Sequence, residues 1–157
     1  MIKEIVSDLN DAIKLIWEVF LEYEAPNYTE EGIEEFRRSI NDQEWVSKKK
    51  FYGYYQDNKL IGVIATNTIN HISLLFVDGN YHKQGIGRKL YNHIKELNNT
   101  GYFTVNSSIY GHDFYKRLGI IDLDSEQCIH GIRFFPMRLD FNEDEEIIWI
   151  TKMEFLT

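Results

Sequence analysis

Apolar and polar residues alternate from Ile2 to Val6, the period of a first β-strand. Ser7 or Asp8 stands where a helix cap belongs, and Leu9, Ile13, Ile16, Trp17 and Phe20 then recur at helical spacing. Thr29, followed by Glu30 and Glu31, opens a second helix that reaches about Ile40. Residues 50–56 and 59–67 read as two strands, and Asp57-Asn58 between them predicts a hairpin turn. His71 to Val77 is the next strand. After Gly85, the residues Ile86, Leu90, Ile94 and Leu97 form an apolar stripe at spacings of four, four and three, which Gly101 can end. Tyr102 to Asn106 predicts a fifth strand. Tyr110 to Leu118 predicts a short helix with Gly119 as its stop, and Ile129 to Leu139 a strand or a pair of strands. Asp140 to Glu146 holds five acids in seven residues and reads as a loop, and Ile147 to Leu156 alternates as a final strand. The order β, α, α, β, β, β, α, β, α, β, β predicts an α/β fold, a mixed sheet with helices on both faces.

The length of 157 residues and an apolar content of 43% suit one domain with its own core, so 1–157 reads as a single domain. No apolar run approaches the ~20 residues of a membrane helix. Met1 to Ile5 lacks the apolar core of a signal peptide, so a cytoplasmic protein with no membrane partner is expected. The single cysteine, Cys128, excludes an intramolecular disulfide and a multi-cysteine zinc site, and reads as a buried small side chain. His82, His93, His112 and His130 have no metal-site spacing, so no metal is expected.

A net charge of −8 argues against nucleic acid as a partner. The charge is uneven. Residues 79–95 contain Lys83, Arg88, Lys89 and Lys95 and no acid, whereas residues 1–50 carry twelve acids against seven Lys and Arg. A basic island on an acidic chain suggests one anionic ligand, and a cationic second substrate elsewhere.

That island follows a strand. The apolar run ends at Val77, a polar connection follows, and Gly85 and Gly87 open the helical stripe with Arg88 and Lys89 in its first turn. A helix start of this kind binds phosphate through its unsatisfied N–H groups and partial positive charge. A Walker loop would need Gly-Lys-Ser/Thr, but Gly87 is followed by Arg88-Lys89. A dinucleotide fingerprint would need a third glycine where Leu90 stands, and an acid where Asn106 lies.

Val77-Asp78 to Leu90 resembles instead the acetyl-coenzyme A motif of the GNAT acyltransferases, Arg/Gln-x-x-Gly-x-Gly/Ala, here His82-Lys83-Gln84-Gly85-Ile86-Gly87. Both glycines match; His82 replaces the usual Arg or Gln. Asn106 to Gly119 is similar to the family's next strand and helix, with Ser108 in place of a frequent Asn seven residues before Tyr115. Gly131 to Met137 looks like a late-strand pattern of some bacterial members. The resemblance implies the GNAT fold, a mostly antiparallel mixed sheet of about seven strands. It also implies an N-acetyltransferase that uses acetyl-coenzyme A as acyl donor and a small primary amine as acceptor, by direct attack in a ternary complex.

By that resemblance the coenzyme is held by Phe76 and Val77, by His82, Lys83, Gln84, Gly85, Ile86, Gly87, Arg88 and Lys89, and by Ser108 and Tyr115. Main-chain N–H groups around Phe76 and Val77 would serve the oxyanion. Tyr115 corresponds to the family tyrosine near the coenzyme sulfur; a phenol is protonated at neutral pH and can donate to a departing thiolate. His71 corresponds to a histidine base of some arylalkylamine members, with Glu22, Glu24 and Tyr23 as rivals. Two other classes stay open at this point. One is a non-catalytic coenzyme-binding sensor. The other is an interaction module whose final strand pairs with a second copy, as in a homodimer.

Overall fold

The computed structural model describes residues 1–141; the remainder of the acidic loop and the expected final strand, 142–157, lie outside the described residues. Strand β1 (Ile2–Ile5) leads to helix α1 (Asn10–Val19), whose first turn is held by Asp8 Oδ1 accepting from the Asn10 N–H at 2.9 Å. The helix runs on as a π-helical turn, Phe20–Glu24, closed by the Ala25 N–H bonding back to the Phe20 carbonyl. A 3₁₀ turn, Ala25–Asn27, carries Pro26. Helix α2 (Glu30–Ile40) is capped by Thr29, whose Oγ1 accepts from the Gly32 N–H at 3.3 Å. Helix α3 (Gln43–Ser47) is an addition to the expected order; Asp42 caps it, accepting from the Glu44 and Trp45 N–H groups.

Strands β2 (Lys49–Gln56) and β3 (Lys59–Asn67) form the expected hairpin, with Asp57 (φ 50°) and Asn58 (φ 62°) both left-handed, as a two-residue turn requires. Strand β4 (His71–Val77) and a 3₁₀ turn (Gly79–Tyr81) precede helix α4 (Ile86–Leu97). That helix ends at Asn98 rather than Gly101. Asn98 Oδ1 accepts from the Thr100 N–H and its amide donates to the Tyr102 carbonyl, while Gly101 (φ 84°) makes the turn into β5 (Tyr102–Ser107). Helix α5 (His112–Arg117) starts two residues later than expected and stops at Gly119 (φ 91°). Strands β6 (Ile121–Asp122), β7 (Gln127–Ile129) and β8 (Ile132–Asp140) follow.

The sheet order is β1-β2-β3-β4-β5-β8-β6, with β7 pairing β8. All pairs are antiparallel except β4–β5. The described strands number eight, because β6 and the β7–β8 hairpin divide what reads in sequence as one late stretch.

Two cores flank the sheet. On one face Phe51, Val63, Ala65, Leu74 and Phe76 meet Ile16, Val19, Phe20 and Ile40 of α1, its π turn and α2. On the other, Ile64, Ile72 and Phe103 meet Ile86, Leu90, Tyr91 and Ile94 of α4. Full burial of each such side chain contributes about 1.5–3 kcal/mol. Cys128 is exposed, contrary to expectation, because among the described residues short β7 pairs only with β8 at the margin of the fold. Among the described residues, no helix is long and apolar enough to cross a membrane.

Candidate active site

The site begins with a bulge. The β3–β4 register passes from Ala65–Leu74 to Thr66–Ile72, so Ser73 is an extra residue on β4. Ile72 therefore faces one core and Leu74 the other, although plain alternation would put them together. A bulge bends its strand and increases its twist. β4 and β5 are in register at His71–Thr104 and Ile72–Val105, next to the bulge, and then part. A cavity of about 1010 Å³ fills the opening.

The parting leaves main-chain groups of β4 facing the cavity. Gly62 pairs with Val77 and the Asp78 N–H donates to the Ile61 carbonyl at 2.8 Å. The antiparallel alternation then turns the Phe76 amide to β3, and the Leu75 and Val77 main-chain groups to the cleft. Of the two residues expected to offer N–H groups, Val77 turns its N–H to the cleft and Phe76 turns its N–H to β3, while Leu75 also faces the cleft.

At one mouth lies the glycine loop. Lys83 (φ 63°) and Gly85 (φ 79°) are both left-handed, which folds the chain back so that successive N–H groups converge. A Cβ at Gly85 would meet nothing within 4 Å, so the demand there is conformational. At Gly87 a Cβ would stand 3.2 Å from Phe114 Cζ, so this glycine lets α4 and α5 approach. The first intrahelical bond of α4 runs from the Lys89 N–H to the Gly85 carbonyl at 3.0 Å. The N–H groups of Ile86, Gly87 and Arg88 precede it and have no acceptor within the helix. His82, Lys83, Gly85, Ile86, Gly87 and Arg88 all border the cavity. Ile86 offers its amide alone, since its side chain is in the core. Gln84 is exposed, and Lys89 extends toward β2, its ammonium 5.8 Å from the Tyr54 ring centre.

His82 ties this loop to the strand. Its Nε2 donates to the Val77 carbonyl at 2.6 Å, which fixes the tautomer, and its Nδ1 accepts from the Tyr110 hydroxyl at 3.2 Å. Its ring lies 4.6 Å from that of Tyr23, which in turn lies 5.1 Å from Tyr110.

The wall opposite β4 is built by the π turn, the β5–α5 loop and α5. The wide turn at Phe20–Glu24 brings Tyr23 and Glu24 to the cavity. Ser108 Oγ accepts from the Gly111 N–H at 3.0 Å and also hydrogen-bonds Glu24. Glu24 keeps a partly exposed surface because the cavity reaches it, but protein encloses it otherwise. Burial pushes its carboxyl up to about 7, against the opposing pull of the Ser108 hydrogen bond. Tyr115 is 6% exposed, and burial first, the charge of Glu24 second, push its phenol well above the ordinary range. Tyr28 is shifted upward by burial and by Glu24, with Arg133 opposing, and its hydroxyl donates to the Arg133 carbonyl at 3.3 Å.

His71 stands at the other end of β4, about 20 Å of strand from Val77. Its Nδ1 is 2.7 Å from Thr104 Oγ1. Burial, then the charge of Lys49, lower its pKa, so the imidazole is neutral at pH 7. Tyr115, Ser108, Glu24 and His71 all border the cavity, with His71 at the end of β4 away from the glycine loop. Tyr28 and Tyr110 carry no motif of their own; the one sequence signal near this wall is Pro26, which interrupts helical hydrogen bonding just after Glu24.

Residues 24–141 match the family model described as the acetyltransferase (GNAT) domain. The chain belongs to the GNAT acetyltransferase family. Its structure is similar to that of a GCN5-related N-acetyltransferase (aminotransferase, class-II) of Rhodopseudomonas palustris, with a TM-score of 0.76 at 16% identity, covering 90% of this chain and 95% of that one. It is also similar to the PaiA N-acetyltransferase of Thermoplasma acidophilum in complex with coenzyme A, at 0.73 and 20%, covering 90% and 99%. An aminoglycoside 6'-N-acetyltransferase complexed with coenzyme A gives 0.58 and 14%, covering 89% and 96%. No curated protein matches the chain in sequence.

Proposed function

We propose that this protein moves the acetyl group of acetyl-coenzyme A onto a primary amine of a small acceptor, by direct attack in a ternary complex. The observation that carries the reading is one cavity bordered by the parted β4 edge, the left-handed glycine loop and the buried Tyr115 phenol. The family and the coenzyme A held by the Thermoplasma acidophilum neighbour support the donor. The aminoglycoside acetyltransferase among the neighbours supports a small amine acceptor.

In this reading the pyrophosphate rests on the N–H groups of Ile86, Gly87 and Arg88, with Lys83 and Arg88 adding charge. The pantetheine arm runs along the free β4 edge at Val77 and Leu75, and these main-chain groups also polarise the thioester carbonyl. Tyr115 donates its proton to the departing thiolate. Its raised pKa keeps it protonated until the sulfur leaves.

Thiol release from acetyl-coenzyme A, measured across a panel of primary amines, tests the proposal. Release that depends on an amine is expected. Coenzyme binding by calorimetry with no turnover on any amine would favour the sensor instead, and no coenzyme binding would leave the interaction module.

A further inference from the structure

We infer that Glu24 is the base that takes the proton from the acceptor's ammonium, so that the acceptor is recognised as a cation by an acidic and aromatic wall. This rests on the acetyl-transfer reading above.

The geometry carries it. Glu24 ends the π turn and borders the same cavity as Tyr115 and the parted β4 edge. The charged and titratable groups around it are few. Its own turn supplies Glu22 and Tyr23, the connector Tyr28, the β5–α5 loop Ser108 and Tyr110, α5 Tyr115, and β8 Arg133. Arg133 is directed elsewhere: its guanidinium bonds Glu126 and the Asn27 carbonyl. Among the described residues, the partner of Glu24 is therefore a hydroxyl rather than a cation. A partly desolvated carboxylate without a cation of its own, in a cavity also lined by Tyr23, Tyr28 and Tyr110, is a site for an ammonium group. His71, which the resemblance puts forward as base, also borders the cavity, but its Nδ1 is engaged by Thr104 Oγ1 at 2.7 Å, and a His71 variant separates the two candidates.

A base near neutrality needs a pKa near neutrality. Burial brings the Glu24 carboxyl there, to about 7, while the Ser108 bond keeps it from rising further.

The protons then balance. Glu24 takes one proton from the ammonium. The freed lone pair forms the C–N bond at the thioester carbonyl carbon, the C–S bond breaks, and Tyr115 gives its proton to the sulfur. The nitrogen loses its second proton as the amide forms, and this restores the Tyr115 phenol. The proton on Glu24 leaves to solvent, the one net proton of the reaction.

The test is the pH profile of kcat/KM for wild type, Glu24→Gln, Glu24→Asp and His71→Gln on the best acceptor of the amine panel, with coenzyme A affinity measured alongside. Glu24→Gln copies the shape of the protonated carboxyl, so its fold and its coenzyme affinity are expected to hold. At pH 7.5 its kcat/KM should fall about 100-fold or more. The wild-type bend near pH 7 should vanish, leaving a rate that climbs about tenfold per pH unit with the free-amine fraction. Glu24→Asp should keep the bend at a reduced rate, and His71→Gln should keep the bend. A Glu24→Gln profile that retains the bend, whether or not the rate drops, would overturn the assignment while leaving acetyl transfer intact. A wild-type protein that acetylates no amine would overturn the transferase reading itself.

Discussion

His82 Nε2 donates to the Val77 carbonyl at 2.6 Å, so the last residue of β4 and the loop that leads into α4 are joined by a side chain. The same ring receives the Tyr110 hydroxyl, and so fastens the β5–α5 loop to both. At the one position where the chain departs from the usual Arg or Gln, the residue holds the loop in place. His82→Ala should leave the Val77 carbonyl without its donor and loosen the loop, at a cost of about 1 kcal/mol in coenzyme affinity. His82→Gln, which keeps a side-chain N–H, should recover most of it. Calorimetry with coenzyme A measures both; equal affinity in His82→Ala and wild type would remove this role.

Gly32 and Gly131 meet backbone to backbone. A Cβ on Gly32 would run into the Gly131 carbonyl, and one on Gly131 would stand 2.5 Å from the Gly32 nitrogen. This contact seats the first turn of α2 on the β7–β8 turn, where His130 (φ 53°) and Gly131 (φ 77°) are left-handed. Gly32→Ala is expected to cost about 1–3 kcal/mol of stability by overpacking, read as a lower thermal midpoint. Alanine at an exposed α2 position such as Glu31 should cost far less.

Tyr115→Phe removes the phenolic proton and keeps the ring in its core position. Turnover should drop about 100-fold, the size of a lost general acid, with coenzyme affinity nearly unchanged. A single-turnover experiment separates this from slow product release. Unchanged turnover would take Tyr115 out of the mechanism.

Glu24 should also weaken the fold above neutral pH. Its carboxyl sits at about 7 in the folded chain against 4.5 in the unfolded one. Between those values the folded state binds the extra proton, so stability falls as pH rises through that window and levels off above it. At pH 8 the burial of this charge costs on the order of 3 kcal/mol. Glu24→Gln should therefore raise the thermal midpoint at pH 8 and leave it almost unchanged at pH 4.5. A buried charge kept at a cost in stability is consistent with service in the site.

Much of the fold can be read from local pattern. The β2–β3 hairpin follows from strand residues on either side of Asp57-Asn58, α4 from its four-four-three stripe, and β4 from an apolar run bounded by polar residues. Helix α3 escapes because five residues are too few for a period to show, although Asp42 three residues before Trp45 is a cap signal. Strand β6 escapes because Ile121 and Asp122 are both exposed at the sheet edge and carry no alternation. Cys128 misleads because its residue type favours burial, whereas its strand lies outside both cores.

The glycine loop is written in the sequence because its demands are local. Gly85 must be left-handed and Gly87 must be small, whatever surrounds them. The same holds for the basic character of α4's first turn. The cavity wall is a different matter. Ser73 becomes a bulge through its pairing with β3, and that bulge turns Ile72 and Leu74 to opposite faces and opens the cleft. Glu24 reaches the cavity through a turn of i→i−5 bonding that interrupts the helical period before it can be seen. Its raised pKa comes from burial, and the Ser108 hydroxyl that opposes the rise lies 84 residues away in the chain. Sequence alone determined most of the elements and the glycine loop, because backbone geometry and periodicity act between near neighbours. Only tertiary structure decided which acid is enclosed at the cavity wall, because desolvation is set by everything packed around a group and by none of it singly.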